Sequence, residues 1–305
     1  MKVYVNREPV IGPWGGGNKT LISIVDALRN KGHEVVFRLC EDIDVLFCID
    51  PRPNKYGEWY QHILYYKNRA GAKIVQRVGD VGTHGKPDLT DLVNQSIQHS
   101  DVVIFLSEWA KDYVDHKSTN YKILENSPLL EFYSNRKDSS DLPEKINIVT
   151  HHWSTNPKKG FSFYKHLDDY IGKNDTKYDF TYIGRLPDGF KFEHAEHIEP
   201  VGDNILISKL LSDSHIYLTA SEEEAGANHV LEALACALPV VYHSKGGSIV
   251  NYCKGYGVQY NSYHSMIESF DRVARDYESY KTKALKFNRK MEDTIKEYVR
   301  IIENV

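Results

Sequence analysis

Residues 221–241 read SEEEAGANHVLEALACALPVV and carry the strongest signal in the chain. A turn of small residues follows Glu224, and an apolar-periodic run containing Glu232 comes after it, which predicts a loop followed by a helix. Asn228 stands at the start of that run and is a residue type that caps helices. The pattern therefore predicts one carboxylate on the loop and one inside the helix, both able to face the same cleft.

The turn itself is Ala225-Gly226-Ala227. Backbone N–H groups of Gly226, Ala227 and Asn228 are expected at the positive end of the helix dipole, where a diphosphate binds well. Carboxylates on both sides of a phosphate site suit hydroxyl-rich groups. A nucleotide sugar, with its ribose, diphosphate and hexose, has this layout.

The same residues resemble the signature of the retaining glycosyltransferases of family four. That signature has two glutamates with seven residues between them, then a short helix and a strand like Pro239-Val240-Val241. The resemblance implies the GT-B fold, an α/β fold of two Rossmann-like domains facing a cleft. It also implies that Glu224 contacts the donor hexose and Glu232 the ribose hydroxyls. The turn at residues 244–247 is similar to the family's glycine loop near the donor, which assigns Gly246 and Gly247 to donor binding.

Residues 150–160 are predicted to link a buried strand to a helix, where α/β folds present ligand-binding residues. The family carries a Gly-Arg and then a Lys-Gly here, whose cations neutralise the donor diphosphate. Lys159-Gly160 matches the second element, but His151 to Ser154 stand where the arginine is expected. Arg185 is a candidate replacement from the next loop, although a surface arginine is the more common interpretation. For Lys158 we favour simple solvation.

Two further segments precede or follow predicted strands of the first half. Gly15, Gly16 and Gly17 lie between the first strand and the first helix, and consecutive glycines allow a ligand to approach the backbone closely. They resemble the amino-terminal glycine loop of GT-B enzymes, with a ligand-free tight turn as the alternative. Asp80 and His84 follow a later strand and are candidates for binding the acceptor or orienting its hydroxyl. Asp80 could equally cap its own loop.

Apolar runs of strand length alternate with helical patterns along the chain, which favours parallel doubly wound sheets. We expect an acceptor domain over residues 1–130, a polar linker over 131–145 and a nucleotide-sugar domain over 146–285. The last segment, 286–305, is expected to form a helix. By resemblance that helix crosses back to the first domain, and packing on its own domain is the open alternative.

Composition excludes several classes of protein. The chain has 305 residues and a formal net charge of -4, so bulk charge offers no basis for tight binding of nucleic acid. Its four cysteines have no CxxC spacing and are expected to be buried free thiols. We find no signal peptide and no run long enough to span a membrane, which leads us to expect a cytoplasmic protein. Peripheral membrane contact stays open, and we expect no required metal or other cofactor.

The sequence thus predicts a hexosyltransferase that takes a nucleoside-diphosphate sugar as donor and a glycan or another hydroxyl compound as acceptor. Retention is implied by the resemblance alone, as is a front-face displacement that needs no enzyme nucleophile. A sugar-nucleotide epimerase or a phosphorylase on the same fold is one alternative. A non-catalytic module that binds sugar nucleotides or glycans is the other, because the family arginine is missing.

Overall fold

The structure is a computed structural model that describes residues 1–10, 16–114, 120–174 and 176–305. The chain divides into two compact units. Unit 1 consists of residues 1–126 and 291–305, and unit 2 consists of residues 127–290. The second unit thus begins before the linker expected at 131–145, and the carboxyl-terminal segment belongs to the first.

Unit 1 is built on a sheet whose described strands are all parallel, in the order β2-β1-β3-β4-β5-β6. Its core consists mainly of aliphatic strand residues flanked by helices. The elements up to residue 126 are β1 (Lys2–Val5), α1 (Gly16–Asn30), β2 (Glu34–Val36), β3 (Val45–Cys48), α2 (Tyr60–Ala70), β4 (Lys73–Val78), α3 (Pro87–Ile97), β5 (Val102–Phe105), α4 (Glu108–Tyr113) and β6 (Tyr121–Ile123).

Unit 2 has a second parallel sheet, whose described strands follow the order β12-β11-β10-β7-β8-β9. A one-turn 3-10 helix at Pro157–Lys159 precedes α6. The remaining elements are α5 (Glu131–Ser134), β7 (Ile146–His152), α6 (Phe161–Lys173), β8 (Tyr178–Gly184), β9 (Glu196–Ile198), α7 (Asn204–Ser212), β10 (Ile216–Thr219), α8 (Asn228–Ala235), β11 (Val240–His243), α9 (Ser248–Cys253), β12 (Gly257–Tyr260), α10 (Tyr263–Arg275) and α11 (Tyr277–Leu285).

Strand β10 shows why this sheet needs helices on both faces. Ile216 and Leu218 pack in one apolar cluster with residues of α6 and α10, and Tyr217 packs in another with residues of α7 and α8. Successive side chains of a strand point to opposite faces, so a strand buried on both faces is apolar throughout. The sequence prediction of two Rossmann-like parallel sheets is confirmed.

The final helix, α12 (Met291–Glu303), packs within unit 1. Its Tyr298 is fully buried, and the Tyr298 hydroxyl accepts a hydrogen bond from Nε of Arg77 at 3.0 Å. Glu303, at its end, forms an ion pair with Lys31 at 2.9 Å and a hydrogen bond with His33 Nε2 at 2.9 Å. The helix therefore completes the apolar core of the first unit.

Candidate functional site

The loops that follow β7, β10 and β11 meet at one edge of the second sheet. These three strands are neighbours and parallel, so their carboxyl ends lie side by side. Backbone hydrogen bonds join the loops directly: Glu222 N donates to Lys158 O, and Glu223 N donates to Lys245 O, both at 2.8 Å. The segment before α8 is thereby held between the other two loops.

Two glycines allow these loops to come so close. Gly160 has φ 77°, and a Cβ at this position would lie 2.4 Å from Ala220 O. Gly247 has φ 65°, and a Cβ there would lie 2.6 Å from Glu224 O. Because both the positive φ and the close backbone contact exclude a side chain, glycine is required at each position.

Lys159 and Glu224 form an ion pair between the β7 and β10 loops. Their side chains are only 12% and 14% exposed, so the pair is largely shielded from water. Lys158, the residue before Lys159, forms a more exposed ion pair with Glu223 at 2.9 Å. The expectation that Lys158 is simply solvated is therefore wrong. The structure therefore places one shielded cation and one shielded carboxylate together at the sheet edge.

The second carboxylate of the signature, Glu232, lies on α8 and is held by a chain of hydrogen bonds. His151 Nε2 lies 2.8 Å from Glu232 Oε2, and His151 Nδ1 lies 3.0 Å from the Tyr217 hydroxyl. Since a carboxylate only accepts, Nε2 carries the hydrogen of this bond. Burial raises the pKa of Tyr217 well above its usual value, so the phenol keeps its proton and its hydroxyl shares a hydrogen bond with Nδ1.

Two more histidines pack around this chain. The rings of His152 and His229 lie 5.0 Å apart, and His152 is buried while His229 is half-buried. Burial lowers the pKa of His229 to about 3 and holds that of His152 well below its usual range. Both rings are therefore neutral at physiological pH. His152 Nδ1 is buried without a hydrogen-bond partner among the described residues.

The start of α8 differs from the sequence prediction. Ala227 is the N-cap residue and Asn228 is already the first helical residue, so the expected Asn228 cap is wrong. Ala227 has an extended backbone, with φ -73° and ψ 108°, and its N–H donates to the Ser248 hydroxyl at 3.1 Å. The Ala227 N–H is thus engaged within the protein, and Gly226 lies just before it in the turn. The tertiary contact with the β11 loop fixes the helix start in place of a local side-chain cap.

The β11 loop contains Gly246 and Gly247 as expected, and the structure adds a helix after them. Gly246 O accepts a hydrogen bond from Glu224 N at 3.3 Å, and Ser248 N donates to Glu224 O at 2.8 Å. Helix α9 then begins at Ser248. The two glycines therefore lie in the turn that holds the backbone of Glu224 by hydrogen bonds.

Arg185 lies beside the loop in which the family arginine is absent. Its guanidinium carbon lies 4.1 Å from the centroid of the Trp153 ring, a cation–π contact. Trp153 directly follows β7, while Arg185 directly follows β8 and is exposed. The structure thus brings an arginine from the neighbouring strand to the end of β7.

The candidates of the first half lie in unit 1. Gly15 is outside the described residues, and Gly16 and Gly17 form the first turn of α1. Asp80 accepts hydrogen bonds from Gly82 N at 2.9 Å and from Lys86 Nζ at 2.7 Å, so its carboxylate organises its own loop. His84 is half-buried on the same loop.

Within the described residues, no group of three or more metal-ligating side chains is suitably arranged for an ion. The same part of the chain has no helix that is both long and apolar enough to cross a bilayer. Three of the four cysteines are buried, Cys40 is exposed, and all four are free thiols.

Sequence reasoning missed the residues that hold the two glutamates. His151 contacts Glu232 from 81 positions away, Tyr217 contacts His151 in turn, and the Ser248 hydroxyl accepts a hydrogen bond from the Ala227 N–H. A buried strand that ends in two adjacent histidines was the one available signal for His151. Nothing in the local pattern of Tyr217 or Ser248 distinguishes them from ordinary core residues.

No family model and no curated protein matches this sequence. Solved structures do match it over the whole chain. Sucrose-phosphate synthase from Thermosynechococcus elongatus superposes with a TM-score of 0.71 at 11% identity, covering 99% of this chain and 98% of that one. Anabaena Alr3699/HepE in complex with UDP-glucose gives a TM-score of 0.71 at 14% identity, and WaaG, a glycosyltransferase involved in lipopolysaccharide biosynthesis, gives 0.68 at 12%. Each of these two comparisons covers 100% of both chains. The chain has the GT-B fold of these glycosyltransferases.

Proposed function

We propose that this protein is a glycosyltransferase that moves a hexose from a nucleoside-diphosphate sugar to an acceptor hydroxyl, with retention of configuration. The observation that carries the proposal is the pair of shielded carboxylates, Glu224 and Glu232, at one edge of the second sheet. Each is held by a basic side chain that β7 or its following loop supplies. Lys159 adds a cation beside them, as a donor with a diphosphate between two sugars requires.

We assign the ribose hydroxyls to Glu232. A carboxylate accepts several hydrogen bonds at once, and a vicinal diol supplies two donors. The bond from His151 fixes the orientation of this carboxylate before the donor arrives, which reduces the entropy lost on binding. Glu224 is assigned to the donor hexose, because it lies on the loop before α8 rather than in the helix.

We assign the diphosphate to Lys159, with Arg185 as a second cation and with Gly226 and Asn228 at the start of α8. Negative charge grows on the diphosphate as the bond from the sugar C1 to the phosphate oxygen breaks. A preorganised cation stabilises that charge more than it stabilises the bound donor. In a front-face displacement the acceptor oxygen forms the new bond to C1, and its proton goes to the leaving phosphate.

Unit 1 is assigned to the acceptor, with Asp80 and His84 on one of its loops and Gly16 and Gly17 at the start of α1. Neither required metal nor other cofactor enters the proposal. The free thiols fit a reducing compartment such as the cytoplasm.

A thermal-shift screen with UDP-, GDP- and ADP-sugars tests the proposal, followed by transfer assays with the donor that binds. At 100 times Kd a ligand adds about 2.7 kcal/mol of stability, so one nucleotide class should raise the Tm clearly. The anomeric configuration of the product then tests retention. No shift with any nucleotide sugar would contradict the proposal. Donor turnover without acceptor would instead indicate an epimerase, and binding without any turnover a non-catalytic module.

A further inference from the structure

Unit 1 contains a cavity of about 340 Å³ whose charged lining has no role in the proposed donor chemistry. It lies at the carboxyl ends of β1, β3 and β4, where a parallel sheet presents its ligand-binding side chains. Three arginines line it: Arg7 follows β1, Arg52 follows β3, and Arg77 is the second-last residue of β4. They are far apart in sequence and are brought together by the strand order alone.

Arg77 is the most informative of the three. It is 5% exposed, and its described hydrogen bonds go to neutral groups, the Tyr298 hydroxyl at 3.0 Å and Asn126 Oδ1 at 3.2 Å. In the described part of the chain no carboxylate lies within 4.0 Å of its guanidinium. A buried cation without a counter-ion is costly, which makes a bound anion the expected compensation.

The backbone near Arg77 accommodates this side chain. A Cβ at Gly79 would lie 2.2 Å from Arg77 Nη1, so glycine at this position leaves the space that the guanidinium uses. Gly79 also lines the cavity. Its two neutral partners therefore hold the guanidinium at the cavity wall, in space that glycine at residue 79 leaves open.

Beside Arg77 the lining holds two arginines and three carboxylates, and each of these carboxylates already pairs with a cation. Arg7 and Arg52 share one carboxylate, that of Asp50, at 3.3 Å and 2.6 Å. Burial alone would raise the pKa of Asp50, but the two arginines outweigh it and hold that pKa below its usual value. The other two acidic side chains of the lining, Asp80 and Glu8, each have their own lysine partner.

We infer that this cavity binds an anionic group of the acceptor, namely the phosphate or carboxylate of a small sugar. The planar guanidinium fork matches the oxygens of both groups. A cavity of this size suits a small ligand, because ligand pockets commonly span about 300 to 1,000 Å³. That the ligand is the acceptor rests on the proposed function, whereas the anion site rests only on the lining of unit 1.

Titration calorimetry at low salt tests the inference with four probes: hexose 6-phosphate, hexuronate, inorganic phosphate and neutral hexose. The anionic sugars should bind, and the neutral hexose should bind at least about tenfold more weakly, as expected for losing charge-assisted hydrogen bonds. Arg77→Gln should weaken binding of the anionic sugars roughly ten- to hundredfold. Comparing the affinities for hexose 6-phosphate and hexuronate shows which anion the site prefers.

Arg69→Gln is the matched control, because Arg69 is exposed in the last turn of α2 and makes the same change of charge outside the cavity. It should leave binding unchanged. If Arg77→Gln does not fold, as judged by circular dichroism, Arg7→Gln provides the same test from the opposite side of the lining. Equal binding of neutral and anionic sugars would overturn the inference, and so would equal effects of the cavity variant and the Arg69 control.

A second readout separates this inference from the proposed function. The inference predicts that Arg77→Gln leaves nucleoside-diphosphate affinity unchanged. If that variant weakens nucleotide binding instead of binding of the anionic sugar, the cavity binds the donor and the inference fails. If anionic sugars bind through Arg77 but no donor is ever turned over, the anion site stands and the proposed transferase activity fails.

Discussion

Replacing Lys159 by Met tests whether this lysine serves a leaving diphosphate or only neutralises Glu224. The change removes the cation from a pair whose side chains are 12% and 14% exposed. Breaking a buried pair by removing one partner costs about 3 to 5 kcal/mol. Since both side chains keep some contact with water, we expect the lower end, about 3 kcal/mol of unfolding free energy. Turnover should fall by about 100-fold or more, the usual loss for one preorganised charge stabiliser.

The double variant Lys159→Met with Glu224→Gln separates the two roles. It removes both charges, so it should recover at least about 1 kcal/mol of the stability that the single change loses. Its turnover should stay low, because the lysine cation is still missing from the diphosphate site and Glu224, which we assign to the hexose, is changed as well. Lys158→Met is the matched control: its pair with Glu223 is 37% exposed on the lysine side, and we expect a change below about 1 kcal/mol with nearly normal turnover.

Urea unfolding followed by circular dichroism gives the stability differences, and initial rates with saturating donor give the turnover. The reasoning is refuted if the double variant regains wild-type turnover, because Lys159 would then matter only through Glu224. Full activity of Lys159→Met on the true donor would likewise remove the assignment of this residue to the phosphate.

Three further predictions concern the same unit. Gly160→Ala should destabilise by about 1 to 3 kcal/mol more than Gly189→Ala, because both positions have positive φ but only the first meets backbone; equal Tm shifts would contradict this. The folded pKa of His229 is about 3 against about 6.5 when unfolded, so the unfolded state binds more protons between these values and stability falls as pH drops below 6.5. His229→Gln should therefore reduce the slope of unfolding free energy against pH by about 1.4 kcal/mol per unit between pH 6 and 4.5, and an unchanged slope would show that the imidazole titrates normally. Arg185→Ala should lower turnover at least about tenfold if it replaces the family arginine, with Arg185→Lys intermediate; wild-type kinetics would leave the diphosphate to Lys159 and the start of α8.

The fold could be predicted because its signals are local. Apolar runs such as those of β10 and β11 indicate buried strands. The pattern around the two glutamates places Glu224 before a helix and Glu232 within it. Two strands were not predicted because they lack an apolar run: β9 is Glu196-His197-Ile198 and is mostly exposed, and β12 begins with a glycine and contains the exposed Gln259. The Asn228 cap failed because a contact with Ser248, twenty-one residues away from Ala227, fixes that helix start.

The partners within the site could not be predicted, because they depend on strand order. Lys159 and Glu224 are 65 positions apart, and His151 and Glu232 are 81 positions apart. Each pair forms because β7 and β10 are neighbours in the sheet, and no local pattern specifies that adjacency. For the same reason, the chain gives no sign in sequence that Arg77 shares a cavity with two other arginines.

Calorimetry of nucleoside-diphosphate binding to the wild type, Glu232→Gln and Glu224→Gln tests the central claim most directly. Glu232→Gln should weaken nucleoside-diphosphate binding by about 1.5 to 3 kcal/mol, the range for a lost charge-assisted hydrogen bond. It should leave the affinity for inorganic pyrophosphate unchanged. Glu224→Gln should leave nucleoside-diphosphate affinity nearly intact, because its proposed partner is the hexose. The reverse pattern, or wild-type nucleotide affinity in both variants, would contradict the assignment of this sheet edge to the donor.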